Sequence, residues 1–395
     1  MEIDKSSGYG CAQRMREIAP FYVMEVLGRA QTLESRGQTV IHMEVGEPDF
    51  PTPEPIVAAG HRALEAGLTH YTPATGILEL RSAIAQYYQE YYGVQVAVER
   101  IIATPGASGA LQLCLGVLVE PGTAVLLADP GYPCHRHLVR LFEGRPLSVP
   151  VDADTNYQLT PELITRHAAA RTVAVMLASP SNPTGTVVER RALQEILEQS
   201  HAIGARLVVD EIYQRLMYEG EGLTALELSD EVFVINSFSK YFGMTGWRLG
   251  WLVAPSAFVP ALERLAQNLF LAPPTLSQHA ALAAFQPETV AILEARRREL
   301  RVRRDFLLPA LQGMGFELQR KPQGAFYLYA GCQRFAEDSL PFTLELLDHA
   351  GVALTPGRDF GKYRAKGHVR FAYTSGMDAL REGVERLQTY LLRYG

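Results

Sequence analysis

Five apolar runs in the middle of the chain each end in residues that can do chemistry. IIAT (101–104) leads into PGASGA, a glycine-rich turn opening a helix, where backbone N–H groups and the positive end of the helix dipole can meet an anion. VLLAD (125–129) leads into PGYP, which presents Tyr132, and VMLAS (175–179) into PSNPTG, which presents Asn182. ARLVV (205–209) runs directly into Asp210 and Glu211, with Tyr213 two positions further on. EVFVIN (231–236) runs into Ser237, Ser239 and Lys240, and Arg248 follows eight residues later. Lysine is scarce here: the chain has five, at 5, 240, 321, 362 and 366, against 32 arginines.

Each feature has an ordinary explanation when taken alone. A glycine-rich turn can be only a turn, an Asn between prolines a turn former, and an aspartate at a strand end a cap for the next helix. Those explanations do not account for all five falling at the carboxyl ends of strands, where open α/β sheets bind their ligands. Together the groups supply an anion cradle with an arginine, an aromatic plate, a carboxylate, a neutral amide with a phenol, and a lysine. Pyridoxal 5'-phosphate (PLP) calls for this combination. Its phosphate needs N–H groups, hydroxyls and a cation. Its ring nitrogen needs a carboxylate, its O3' needs donors, and its aldehyde needs a lysine. A nucleotide site would use the cradle but not the lysine and aspartate together.

The elements that must hold these residues follow from the hydrophobic pattern. Short runs rich in Val, Ile and Leu alternate with helical patterns, which predicts an α/β fold with a mostly parallel sheet covered on both faces. WRLGWLVA (247–254) follows its predecessor too closely for a helical crossover, so an antiparallel edge strand is expected there. From about residue 286 a long helix leads into GAFYLYAG, GVALTPG and HVRFAYT, three strands of a smaller lobe, and an amphipathic helix closes the chain. The expected division is an N-terminal arm and part of a small domain (1–45), a large domain (46–285) and a C-terminal small domain (286–395).

Composition narrows the class further. A hydrophobic content of 47% and a formal net charge of -6 describe an ordinary globular protein with no electrostatic reason to bind nucleic acid or an anionic membrane. RRRELRVRR (296–304) is interleaved with apolar residues at helical spacing and reads as the solvated face of a helix. The four cysteines form no CxxC or metal-type spacing, Cys114 sits in an apolar helical run, and no metal site is expected. MEIDKSSGYG lacks the apolar core of a signal peptide and no run of 18 apolar residues occurs, so a cytoplasmic protein is expected.

The chain resembles the class I/II aminotransferases, PLP-dependent enzymes of fold type I, over nearly its whole length. The resemblance is carried by GEPDF (46–50), HYTPATGILELR (70–81), ASPSNPTG (178–185), NSFSKYFGMTGWRLGW (236–251) and HVRFAYT (368–374). It implies that Lys240 is the Schiff-base lysine, Asp210 the partner of the ring nitrogen, and Asn182 and Tyr213 the donors to O3'. Tyr132 would stack on the ring. Ala107, Ser108, Ser237, Ser239 and Arg248 would form the phosphate cup. Tyr71 matches a tyrosine that reaches the phosphate of the neighbouring subunit, which implies a homodimer. Gly46, Asn182 and Arg370 match the residues that receive the substrate, the arginine taking the α-carboxylate through its fork.

The expected function is transfer of an amino group between an L-amino acid and a 2-oxo acid. PLP-dependent C–S β-lyase chemistry is the alternative, because it uses the same cofactor residues. A regulatory aminotransferase-like domain would carry a DNA-binding segment before GEPDF, and the residues there show no such pattern. Arg358 reads as a loop residue. The segments near 15–22 and 46–50 are expected to shape the side-chain pocket, with Ile18, Phe21 and Tyr22 favouring apolar or aromatic substrates.

Overall fold

The computed structural model describes residues 10–220 and 222–394; the first nine residues of the polar N-terminal arm lie outside them. In chain order the strands are β1 Ile41–His42, β2 Ile101–Thr104, β3 Ala124–Asp129, β4 Arg145–Pro150, β5 Thr172–Ala178 and β6 Arg206–Asp210. They continue with β7 Phe233–Ser237, β8 Gly250–Val253, β9 Tyr327–Gly331, β10 Val352–Ala353, β11 Thr355–Pro356 and β12 His368–Ala372. Seven form one sheet in the order β2-β8-β7-β6-β5-β3-β4.

Side chains on these strands separate into two cores, one per face. Ile101, Leu126, Val175, Leu207, Val209, Val234 and Trp251 belong to one buried cluster. Their immediate neighbours Ile102, Val125, Leu127, Ala174, Met176, Val208, Phe233, Ile235 and Leu252 belong to the other. A strand that is apolar on both faces reads as a continuous hydrophobic run, because successive side chains point to opposite sides. The second face is covered in part by the helix Gly106–Leu118, whose residues Gly106, Gly109, Ala110, Leu111, Leu113, Cys114 and Leu115 are all buried. Burial leaves the Cys114 thiol with a raised pKa, and it serves as a small core residue.

Pairing from β4 through β7 is parallel, and β8 is antiparallel to both neighbours. The antiparallel strand is therefore present but lies inside the sheet between β7 and β2, not at an edge. All four of its residues are buried, so both rows of its backbone groups need strand partners. The exposed edge is β4, RPLSVP, whose prolines and polar residues gave no strand signal and suit an edge.

The N-terminal segment is tied to the C-terminal one by parallel pairing of β1 with β10, while β11, β12 and β9 form a separate three-stranded sheet. The helix Pro287–Met314 starts with proline in its first turn and stops at Gly315 in the left-handed region, φ 103°. Its arginine run is not wholly a solvated face. Arg303 and Arg304 are buried. Arg303 bonds Asp49 Oδ1 and the Thr374 carbonyl, both at 2.7 Å, and Arg304 bonds the Pro322 carbonyl at 2.6 Å and Glu219 at 3.0 Å. Partners from distant segments offset the desolvation of these two guanidinium groups.

Candidate active site

Register fixes the carboxyl edge of the sheet. Ala178 lies beside Asp210, and Asp210 beside Ile235, while Gly250 pairs with both Ser237 and Thr104. Arg248, two residues before Gly250, is thereby delivered to Gly106, two residues after Thr104. A Cβ on Gly106 would fall 2.7 Å from Arg248 Nη2, and one on Gly250 would fall 2.7 Å from the Ala107 amide nitrogen. Both glycines are needed for this close approach. The helix that opens at Gly106 has no side-chain cap, so its first-turn N–H groups, including those of Ala107 and Ser108, are available to an anion. Ser237 and Ser239 adjoin them: the Ser239 amide donates to Ser237 Oγ at 3.0 Å, and Ser237 Oγ donates to the Leu249 carbonyl at 3.3 Å. Arg248 adopts φ 53°, a left-handed conformation that turns its side chain back over the loop.

Deeper in, Gly46, Tyr132, Asn182, Asp210, Tyr213, Lys240 and Arg370 line a single cavity of about 320 Å³. Lys240 Nζ donates to the Gly46 carbonyl at 2.8 Å. Burial of this ammonium, opposed by the nearby Glu47 carboxylate, brings its pKa down to about 8. Gly46 has no room for a side chain, since a Cβ would lie 2.0 Å from the Tyr327 hydroxyl. Tyr213 meets Tyr327, hydroxyl to hydroxyl, at 2.9 Å.

Arg370 lies on β12 opposite Tyr329 of β9, which puts it on the same sheet face as Tyr327. Its guanidinium sits 4.3 Å from the Tyr327 ring centroid and 4.8 Å from that of Phe360. Nη1 donates to Asn182 Oδ1 at 2.9 Å, and Nη2 to the Glu44 carbonyl at 2.5 Å and Thr355 Oγ1 at 3.1 Å. Nε is buried and has no partner among the described residues. Arg370 is 3% exposed and faces the cavity. Arg358, in contrast, pairs with Asp338 away from the cavity.

Asp210 and Glu211 are adjacent on the chain but serve opposite faces. Asp210 Oδ2 bonds His135 Nε2 at 2.9 Å, both side chains being buried. Glu211 points away, accepting from the Ala225 amide at 2.7 Å and the Thr224 hydroxyl at 3.2 Å, and burial pushes its carboxyl up to about 8. His135 was missed in the sequence, although its place one turn after Tyr132 in the helix Pro133–Leu141 was a usable signal. The Tyr132 ring meets the His135 ring edge-on at 5.4 Å.

Two expectations fall outside this cluster. Tyr71 is 83% exposed and contributes nothing to the cavity of its own chain. Of the three residues expected in the side-chain pocket, Phe21 lines it, together with Val23, Met24 and Leu27, whereas Ile18 and Tyr22 do not. The Tyr22 and Val23 amides donate to Asp359 at 2.8 and 2.9 Å, which fixes the start of the helix Tyr22–Glu34 and aims its next turns at the cavity.

Comparison with known proteins decides the family. The model described as aminotransferase class I and II matches residues 38–387. The chain belongs to the class I and II aminotransferases. It is 37% identical to (5-formylfuran-3-yl)methyl phosphate transaminase of Methanocaldococcus jannaschii, over 96% of this chain and 99% of that one. It is 36% identical to valine–pyruvate aminotransferase of Mycobacterium tuberculosis, over 95% and 97% of the two chains. Among solved structures, an aminotransferase from Mycobacterium tuberculosis superposes with a TM-score of 0.93 at 35% identity, covering 98% of this chain and all of that one. Aspartate aminotransferase from Thermus thermophilus with maleate gives 0.91 at 33%, covering 96% and 99%.

This aminotransferase is accordingly a PLP-dependent enzyme of fold type I that carries out transamination. Its residues fit the cofactor. The uncapped helix start and Arg248 offer donors to a phosphate, Asp210 offers a carboxylate to a ring nitrogen, and the buried unpartnered Nε of Arg370 offers a further donor to a substrate anion.

Proposed function

We propose that the enzyme holds PLP covalently through Lys240 and exchanges the amino group of an L-amino acid with a 2-oxo acid beneath Arg370. The observation that carries this reading is the convergence of Lys240, Asp210, Asn182, Tyr213 and Arg370 on one cavity of about 320 Å³. When bound, PLP supplies an aldehyde for the amine and a ring that takes up the electrons left when Cα loses its proton.

The remaining chemistry belongs to the chain. The N–H groups at Ala107 and Ser108, the hydroxyls of Ser237 and Ser239 and the guanidinium of Arg248 grip the phosphate. Asp210, held by His135, keeps a proton at the ring nitrogen. Asn182 and Tyr213 donate to the phenolic oxygen, and Tyr132 packs against the ring face. Arg370 receives the α-carboxylate through its fork, with Gly46 leaving space beside it. Lys240, with a pKa near 8, can take a proton from the substrate Cα and return it close to neutral pH.

Phe21, Val23, Met24 and Leu27 give the side-chain pocket an apolar wall, which supports amino acids with apolar or aromatic side chains. The activity named for the mycobacterial valine–pyruvate relative agrees with this. The exposed Tyr71 supports a homodimer in which it reaches the neighbouring phosphate. We further read residues 46–285 as the large PLP-binding domain and residues 1–45 with 286–395 as the smaller one. No helix among the described residues is long and apolar enough to cross a membrane, and we place the enzyme in the cytoplasm with small-molecule substrates.

A half-reaction screen tests the proposal. The PLP-loaded enzyme is mixed with one amino acid at a time and no 2-oxo acid. The expected result is loss of the visible band with one equivalent of 2-oxo acid released per site. Catalytic release of pyruvate and ammonia would instead establish the lyase alternative.

A further inference from the structure

Tyr327 touches three groups of the site and has no part in the reading above. Its hydroxyl lies 2.9 Å from that of Tyr213 and against the Cα of Gly46, and its ring lies under the Arg370 guanidinium. The residue is 1% exposed, and among the described residues its oxygen has no other hydrogen-bond partner. The cation over its ring sets the direction of the bond. A phenol has one proton to give. Both phenols line the cavity, but the Arg370 guanidinium lies 4.3 Å from the Tyr327 ring and loosens the hold of that hydroxyl on its proton, which makes Tyr327 the better donor of the pair. If Tyr327 donates, both protons are used.

We propose that Tyr327 is a positioning residue that donates its hydroxyl proton to Tyr213 and thereby leaves the Tyr213 proton directed at the phenolic oxygen of the cofactor. The inference rests on the assignment of Tyr213 as a donor to that oxygen. A chain of two phenols polarises along its length, so the outer donor strengthens the inner one. The outer donor also cannot rotate away, because its ring is held between Gly46 and Arg370 and edge-on to Phe326 at 4.8 Å. Arg370 and Tyr213 thus share one support, which sets the substrate-carboxylate position against the cofactor position.

The test is a pH titration of the visible band of the PLP-loaded enzyme, which follows the proton in the lysine–cofactor linkage. A donor to the phenolic oxygen stabilises its negative charge and so lowers the hold on that proton. Tyr213→Phe should raise the midpoint by about one unit, and Tyr327→Phe by about half a unit. The charged groups facing Lys240, namely Glu47, Arg370, Arg248 and Asp210, are unchanged in both variants, so neither shift is a direct charge effect. In the Tyr213→Phe background, Tyr327→Phe should add nothing. 3-Fluorotyrosine at 327, a stronger donor, should lower the midpoint, an effect of opposite sign that loss of packing does not produce. The KM for the 2-oxo acid should stay within about twofold in Tyr327→Phe, because the ring under Arg370 remains. No shift in Tyr213→Phe would overturn the assignment of Tyr213 itself. A shift there with none in Tyr327→Phe, or an equal Tyr327→Phe shift without Tyr213, would overturn the relay and leave the site reading standing.

Discussion

Replacing Arg370 by lysine keeps the charge and removes the fork. In the structure the guanidinium reaches Asn182 with Nη1 and Glu44 and Thr355 with Nη2, and its buried Nε has no partner among the described residues. A lysine ammonium can occupy only one of these directions and offers a carboxylate one point of contact in place of two. A hydrogen bond to a charged group contributes about 1.5–3 kcal/mol, so losing one of two to the substrate should cost that much transition-state binding. At 1.36 kcal/mol per factor of ten, that is a fall of about 13- to 160-fold in kcat/KM. The assay compares a 2-oxo acid and its amino acid with an amine that has the same side chain but no α-carboxylate. Arg370→Lys should lower kcat/KM for the first two by that factor and change the amine by less than about threefold. Equal losses for all three would mean that Arg370 only braces Asn182 and the β12 strand, and no loss at all would remove it from the site.

Other outcomes follow from the same geometry. In cofactor-free protein, Lys240 should react with an amine-directed reagent with a midpoint near 8, and Glu47→Gln should move that midpoint lower, because the Glu47 charge holds it up; a midpoint at the ordinary lysine value would contradict the burial. Between about 8 and the ordinary value the unfolded chain binds a proton that the folded one has released, so Lys240 makes cofactor-free stability rise with pH across that window, an effect that thermal unfolding of Lys240→Met should abolish. Gly250→Ala places a methyl 2.7 Å from the Ala107 amide and should weaken PLP retention by at least about tenfold, measured by dialysis and reconstitution, at a strain of about 1–3 kcal/mol. His135→Phe removes the 2.9 Å bond to Asp210 and should slow exchange of the substrate Cα proton by about tenfold, followed by NMR in D₂O, while PLP stays bound.

The strands and the chemistry at their ends were legible because burial on both faces writes a continuous apolar run, and because polar residues at one sheet edge have few structural uses. What was not legible depended on contacts between distant segments. β4 is an edge strand without an apolar run, and the interior position of β8 depends on pairing with β2, nearly 150 residues earlier in the chain. Arg303 and Arg304 have the spacing of an exposed helical face and are buried only because Asp49, Glu219 and the carbonyls of Thr374 and Pro322 come to meet them. His135 and Tyr327 act through Asp210 and Tyr213, so their importance follows from the pairing and not from their own motifs. In the side-chain pocket, the helix start fixed by Asp359 brings Val23, Met24 and Leu27 to the cavity in place of Tyr22, and leaves Ile18 before the helix, a boundary that a short apolar stretch does not specify.

Attachment of the cofactor to Lys240 is easy to test because lysine is scarce in this chain. PLP-loaded enzyme is reduced with borohydride, digested, and mapped by mass spectrometry. One pyridoxyl adduct per chain is expected, on the peptide containing Lys240 and on none of the peptides containing the other four lysines. An adduct at Lys5, Lys321, Lys362 or Lys366, or no adduct from enzyme that still shows the visible band, would contradict that attachment.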